Sequence, residues 1–251
     1  MTMYPPKGPA MMGYPAAGSA TSTTPPTTAT PLFIGTVGNA VIASGKTVTI
    51  SVSRATVTGD DIVIASFCGQ QGISSIADTA GNSYVIVEEN LDVGTSTQRT
   101  SLWWCHSATA LALGDTITIT NTDTCNFKYG NQAVALAWKT LASVDAVSAA
   151  ATYQPTFPAT LSSSTVPTVA NDVFISAFGC SAEDWSSVSA TAPFGVRFLN
   201  RGSYTSAGST YYGALAVASC QQAAIAALAS TWKIAGLNKT TISMAVGTFK
   251  A

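Results

Sequence analysis

The stretch Thr47–Cys68, TVTISVSRATVTGDDIVIASFC, decides the fold class. Its opening, Thr47–Ser53, alternates polar and apolar residues, as a strand with one buried face does. Its end, Asp61–Cys68, is a near-continuous apolar run of strand length. Thr58-Gly59-Asp60 between them is a turn signal. Further runs follow at similar spacing: Ser83–Glu88 (SYVIVE), Ser101–Cys105 (SLWWC), Asp115–Asn121 (DTITITN) and Gln132–Lys139 (QAVALAWK). Ala80-Gly81-Asn82, Leu113-Gly114-Asp115 and Tyr129-Gly130-Asn131 punctuate them. Short strands so spaced predict an all-β, antiparallel sandwich, immunoglobulin- or jelly-roll-like, and not a parallel α/β sheet. The one helix candidate is the alanine-rich Gln221–Ala229, which reads equally as a helical turn or a strand.

Sliding the chain by about 111 residues lays Asp61–Phe67 (DIVIASF) over Asp172–Phe178 (DVFISAF). The same slide puts Ser51 and Ser53 over Ser162 and Ser164, and Trp138-Lys139 over Phe249-Lys250. A match across separate elements predicts two pseudo-repeats of about 105–110 residues, the size of one small sandwich. The expected division is an arm at 1–32, one repeat at 33–143 and a second at 144–251. Two tandem sandwiches and one larger shared sandwich both fit. Asp61 and Asp172 open equivalent strands. Each reads as a turn-closing carboxylate that accepts backbone N–H groups, with a calcium ligand as the weaker alternative because few oxygen donors accompany it.

Residues 1–31 differ from the rest. Seven of the eleven prolines lie there, and Thr21–Thr30 is a Thr/Ser/Pro tract. Such a segment forms neither helix nor interior strand and favours extended polyproline II. It is read as a partner-binding arm, with Tyr4, Pro5, Pro6, Tyr14, Pro15, Pro25 and Pro26 as its contact residues. The N-terminus has no basic and apolar signal pattern, so no secretory leader is expected.

Charged residues make up 9 % of the chain, apolar residues 47 %, and the formal net charge is −1. Average globular chains carry about 25 % charge. With its basic residues scattered, the chain lacks the concentrated charge that nucleic-acid binding requires. Low charge also removes colloidal repulsion and favours association into a homo-oligomer or larger assembly. The apolar stretches at Ala214–Ala218 and Ala223–Ala229 are too short and interrupted to cross a bilayer, so no membrane association is expected. The five cysteines, Cys68, Cys105, Cys125, Cys180 and Cys220, show no zinc-ligand spacing. They read as buried free thiols made in a reducing cytosol.

Two motif groups carry a family pattern. One is Gly59-Asp60-Asp61 opening an apolar strand, followed by Asp78-Thr79-Ala80-Gly81-Asn82-Ser83-Tyr84. The other is Gly114-Asp115-Thr116 opening Ile117–Thr120, followed by Ala133–Trp138. In this order they resemble β-sandwich modules of phage virion proteins and bacterial surface proteins. The resemblance spans roughly residues 34–251 and implies a fold. It brings no catalytic residues. The second half departs from the pattern, with Ala192-Pro193-Phe194-Gly195 where an Asp-x-x-Gly-Asn motif would stand.

Enzyme chemistry finds little support. His106 is the single histidine, and no GxSxG elbow accompanies it. Glu88-Glu89 and Glu183-Asp184 are adjacent on strands or loops, so neither pair points into one site. No catalytic, cofactor or metal residue is assigned, and the chain is expected to be no enzyme. Trp103-Trp104 are strand neighbours, so one ring is expected inside and one outside. Tyr211-Tyr212 is read as their counterpart in the second half. The outer ring could serve core packing, a subunit contact or a sugar platform. Trp104, Trp185 and Tyr204 are the candidate exposed aromatics. The expected function is a phage virion structural protein, a head decoration (cement) or minor capsid protein. It would be made in the host cytoplasm and bound to capsid or tail subunits through residues 1–32. The alternative is a tail- or spike-associated carbohydrate- or receptor-binding adhesion module.

Overall fold

The computed structural model describes residues 30–42, 45–69, 71–91, 98–125, 131–154, 158–182, 185–206, 209–236 and 240–251. The arm residues Tyr4, Pro5, Pro6, Tyr14, Pro15, Pro25 and Pro26 lie outside the described residues. The first half holds β1 (Leu32–Ile42), β2 (Gly45–Ser51), β3 (Asp61–Gly69), β4 (Ile73–Asp78), β5 (Val85–Leu91), β6 (Gln98–Cys105), β7 (Thr116–Cys125) and β8 (Asn131–Lys139). The second holds β9 (Ser143–Gln154), β10 (Ala159–Thr165), β11 (Asp172–Ala182), β12 (Trp185–Ala190), β13 (Gly195–Ser206), β14 (Ser209–Gln222), β15 (Leu228–Gly236) and β16 (Thr240–Lys250). The fold is all-β, and every strand pairing is antiparallel.

Each half is a sandwich of a five-stranded and a three-stranded sheet. In the first half the orders are β1-β8-β3-β6-β5 and β2-β7-β4; in the second they are β9-β16-β11-β14-β13 and β10-β15-β12. The two halves are wound identically. Alternation of the chain between the sheets follows a jelly roll and not an immunoglobulin domain.

The two kinds of sequence pattern sort the strands by layer. TVTIS on β2 and TITIT on β7 alternate because the three-stranded sheets have one face in a core and one in water. DIVIASFC on β3 and NQAVALAWK on β8 are buried residue after residue. They lie in the five-stranded sheets, which are covered on both faces. On β3, Ile62 and Ile64 point into an outer core shared with Val48, Ile50, Ile117 and Ile119. Val63, Ala65 and Phe67 point the other way, onto Val173, Ile175 and Ala177 of β11. A second outer core gathers Phe174, Phe178, Trp232 and Ile234.

The molecule is therefore four sheets deep, with two outer cores and one central core made jointly by the halves. Of the two arrangements open to the sequence, separate sandwiches exist, and they share a seam. Across it, β5 lies against β9 and β16, and β1 against β13. Equivalent strands thus exchange places, as in a face-to-face dimer fused into one chain. The sheets approach closely where the second half offers glycine. A Cβ at Gly179 would run into the Phe67 ring, and one at Gly247 would sit 2.6 Å from Val87 Cγ1.

Three expectations need correction. Gln221–Ala229 is neither a helix nor one strand: β14 ends at Gln222, residues 223–226 bend, and β15 starts at Leu228. Cys68 and Cys125 form a disulfide 57 residues apart in sequence, while Cys105, Cys180 and Cys220 are free and buried. The ends of β3 and β7 bring the first pair together, although no sequence spacing announced it. Trp104 is 8 % exposed and packs edge-on to Phe249 at 5.8 Å in the central core. Trp103 packs against the outer core on the opposite face of the same strand. One ring goes each way, as parity requires, but both sides of β6 are interior.

Candidate functional site

Two neighbouring recesses lie where the Pro-rich segment joins β1. Chain entry occurs beside the seam: Pro31 is buried, and the Phe33 ring lies 5.0 Å from that of Trp138. Arg197, from β13 of the other half, covers the same Phe33 ring at 5.3 Å and donates from Nε to Ser219 Oγ at 2.8 Å. A recess of about 240 Å³ opens here, walled by Pro31, Leu32, Phe33, Trp138, Val173 and Arg197. Beside it a second recess of about 320 Å³ is lined by Thr30, Asn171, Gln221, Ala223 and Ala251. Trp138 is 2 % exposed, and its Nε1–H finds no acceptor among the described residues. Apolar walls with a polar rim suit an extended peptide, whose carbonyls need donors and whose side chains need shallow pockets.

Elsewhere, the polar residues singled out by the sequence are engaged in holding loops. Asp61 is buried; its Oδ1 accepts the Ser107 amide at 3.0 Å and meets His106 Nδ1 at 2.8 Å, and its Oδ2 accepts the Leu141 amide at 2.8 Å. The turn-closing reading holds for Asp61. His106 is 53 % exposed on its side chain and stacks at 5.2 Å on Trp104. Among the described hydrogen bonds, none connects its imidazole to a serine or cysteine nucleophile.

The Asp78–Tyr84 motif is a clasp. Asp78 Oδ1 accepts the amides of Ala80 and Asn82, each at 3.0 Å. Its Oδ2 accepts Asn82 Nδ2 at 2.9 Å and the Tyr84 hydroxyl at 2.7 Å. Asn82 then bridges to the backbone of Thr109 in both directions, at 2.7 and 3.0 Å. Gly81 makes the turn with φ 77°, a conformation open to glycine. Burial, followed by the bond to Asp78, raises the Tyr84 phenol above its ordinary value, so it stays protonated.

Asp172 departs from Asp61. It is fully buried and takes no backbone N–H among the described residues; its neighbour is Asp145 on β9. Asp145 accepts the hydroxyl and amide of Thr168 and lies 3.2 Å from Lys250 Nζ. Burial, then the hydrogen bond and charge of Asp145, push the Asp172 carboxyl up to about 7, only partly offset by Lys250. Burial also pushes Asp145 up, but Thr168, Asp172 and Lys250 outweigh it and hold that group down to about 2. A protonated Asp172 donating to ionised Asp145 satisfies both. The backbone-acceptor expectation fails for Asp172, whose carboxyl meets Asp145 of β9 and no described backbone amide.

The remaining predicted residues are not gathered into one place. Trp185 starts β12, and Tyr204 on β13 faces Tyr211 in register; the side chains of both lie outside the described residues. Tyr211-Tyr212 sits near the start of β14 and Trp103-Trp104 at the end of β6, so the two pairs are not counterparts. Desolvation raises the free thiols of Cys105 and Cys220 to about 11 and that of Cys180 to about 12, which keeps them protonated and poorly nucleophilic. The arm-root recess is not legible in the sequence because its walls come from five separate segments, 31–33, 138, 173, 197 and 219–221. The one available signal was Pro31-Leu32-Phe33, an apolar end to a polar tract.

Comparison with family models, curated proteins and solved structures returned no match. The likeness to phage virion modules accordingly rests on the motif residues alone, and two of those motifs serve here as loop clasps.

Proposed function

We propose that this chain is a structural subunit of a phage particle without catalytic activity, a head decoration or minor capsid protein anchored by residues 1–32. The carrying observation is the arm root: a Pro-rich segment enters at the seam of both halves, beside an open recess with largely apolar walls. A tether placed there transmits pull to both sandwiches at once. Its seven prolines restrict the backbone and so limit the entropy lost on docking. The Cys68–Cys125 disulfide suits the oxidising outer surface of a particle after release from a reducing host cell.

Trp104, offered for the adhesion alternative, is buried in the central core and cannot form a sugar platform. Co-sedimentation with particles lacking this protein tests the proposal. Full-length chain is expected in the particle fraction, and a chain starting at Thr30 in the supernatant, folded. Equal binding by both would refute the anchor.

A further inference from the structure

Both lateral sides of the molecule end in a stacked pair of open sheet edges. On one side these are β5 and β9, and on the other β1 and β13. No described strand pairs with the outer edge of any of the four. Natural proteins blunt such edges with lysine, proline or short strands. Here β9 runs 12 residues and β13 another 12, and none of the four strands contains lysine or proline. Among the described residues, seven of the twelve exposed large apolar side chains lie on them: Val85, Ile86 and Val147 on one side; Leu32, Val41, Val196 and Leu199 on the other.

The fused-dimer arrangement makes the two sides equivalent in shape, since β5 corresponds to β13 and β9 to β1. Their charges have diverged. Strand β5 carries Glu88 and Glu89, with no basic residue. Glu89 is answered inside the chain by Arg99 at 2.6 Å, whereas the Glu88 carboxylate takes only the neighbouring Glu89 amide among the described bonds. Strand β13 carries Arg197 and Arg201, with no acidic residue. Both arginines are exposed, and Arg201 lies over the Tyr212 ring at 4.1 Å. Bulges interrupt all four edges, at Phe33/Gly35 and Thr36/Gly38 on β1, between Val144 and Val147 on β9, at Ile86/Glu88 on β5 and at Val196/Phe198 on β13; beyond the last two the pairing is regular, and these stretches carry Glu88 and Arg201.

We propose that copies of this chain associate laterally, head to tail, with β5 of one copy beside β13 of the next and β9 beside β1. The occupant of each side is a second copy. The acidic edge meets the basic one, and Val147 comes to the Leu32 and Val41 edge. A contact between unlike sides does not saturate at two copies; because β5 and β1 share one sheet and β9 and β13 the other, each copy is turned over relative to the last, and the contact extends to a row. Like-side pairing would bring Glu88 to Glu88 or Arg201 to Arg201 and is disfavoured. The inference goes beyond the virion reading and stands without it, because it concerns the chain alone in solution.

Sedimentation velocity of the full-length chain over a concentration series, without particles, provides the test. Species larger than a dimer are expected at high concentration. Glu88→Arg alone and Arg201→Glu alone should each weaken association roughly tenfold. Mixing the two variants should restore it, because the altered acidic side of one then faces the altered basic side of the other. Val147→Lys, which places a gatekeeper on β9, should also suppress it while circular dichroism stays unchanged, guarding against misfolding of the arginine variant. A chain that remains monomeric throughout, association that survives both reversals, or a mixture that fails to recover would overturn the proposal.

Discussion

The two halves share sheet order, strand direction and a 111-residue spacing between Asp61 and Asp172, yet they are locked by different polar devices. The first half is stapled by Cys68–Cys125, by Asp61 to Ser107 and Leu141, and by the Asp78–Asn82–Thr109 clasp. The second has none of these. It relies on the outer-core trio of Ser176, Ser230 and Trp232, linked at 2.8 Å, and on the Asp145–Asp172–Lys250 cluster. Topology follows the apolar pattern, which the repeats kept. Loop fastening follows individual polar residues, which they did not.

The sharpest way to break this comparison is to cut the same position twice. Asp61→Ala strands the Ser107 and Leu141 amides and is expected to cost roughly 4 kcal/mol in urea unfolding. Asp172→Ala strands no backbone donor and should cost about 1 kcal/mol. Equal losses would mean that the two aspartates still do the same job. Next, Cys68→Ala with Cys125→Ala opens a loop closed over 57 residues and should lower stability by roughly 3–4 kcal/mol. A reductant should reproduce that loss in the unaltered chain and have no effect on the variant.

Across the seam, Gly179→Ala drives a methyl group into the Phe67 ring and should cost about 1–3 kcal/mol by overpacking. Phe67→Leu in the same chain should recover part of it, because a branched aliphatic leaves room. The smallest effect concerns pH. Asp172 is raised to about 7 from the ordinary 3.8, so the folded state holds a proton that the unfolded state releases between those values, and stability falls as pH rises from about 4 to about 7. Asp145, lowered to about 2, has the opposite sign: its contribution is lost as pH falls from about 4 to about 2. Asp172→Asn keeps a donor for Asp145 and carries no ionisable proton. Its melting temperature should match that of the unaltered chain near pH 4 and exceed it at pH 8.

Most of the fold could be read in the residues, because burial writes itself into periodicity. TVTIS alternates and sits in an outer sheet; QAVALAWK does not alternate and sits between two cores. Strand β4 escaped notice because ISSIAD lies at a sheet edge, half exposed, with no clean period. Trp104 departs from the expected exposure because neighbours on a strand do face opposite ways, but β6 has no wet side over that stretch. Of the arm-root site only the Pro-rich approach was legible. The recess itself depends on how the halves dock, and no local pattern encodes docking. The disulfide was equally hidden, since pairing over 57 residues follows from register and not from spacing.

Native-state hydrogen exchange on β3 and β11 tests most directly whether the halves are one cooperative body joined by the central core. Amides of both strands are expected to exchange through a single global opening of equal free energy, lowered equally in each by Gly179→Ala. Exchange of β11 through its own lower opening, with β3 still protected, would contradict a shared core and leave two sandwiches that merely touch.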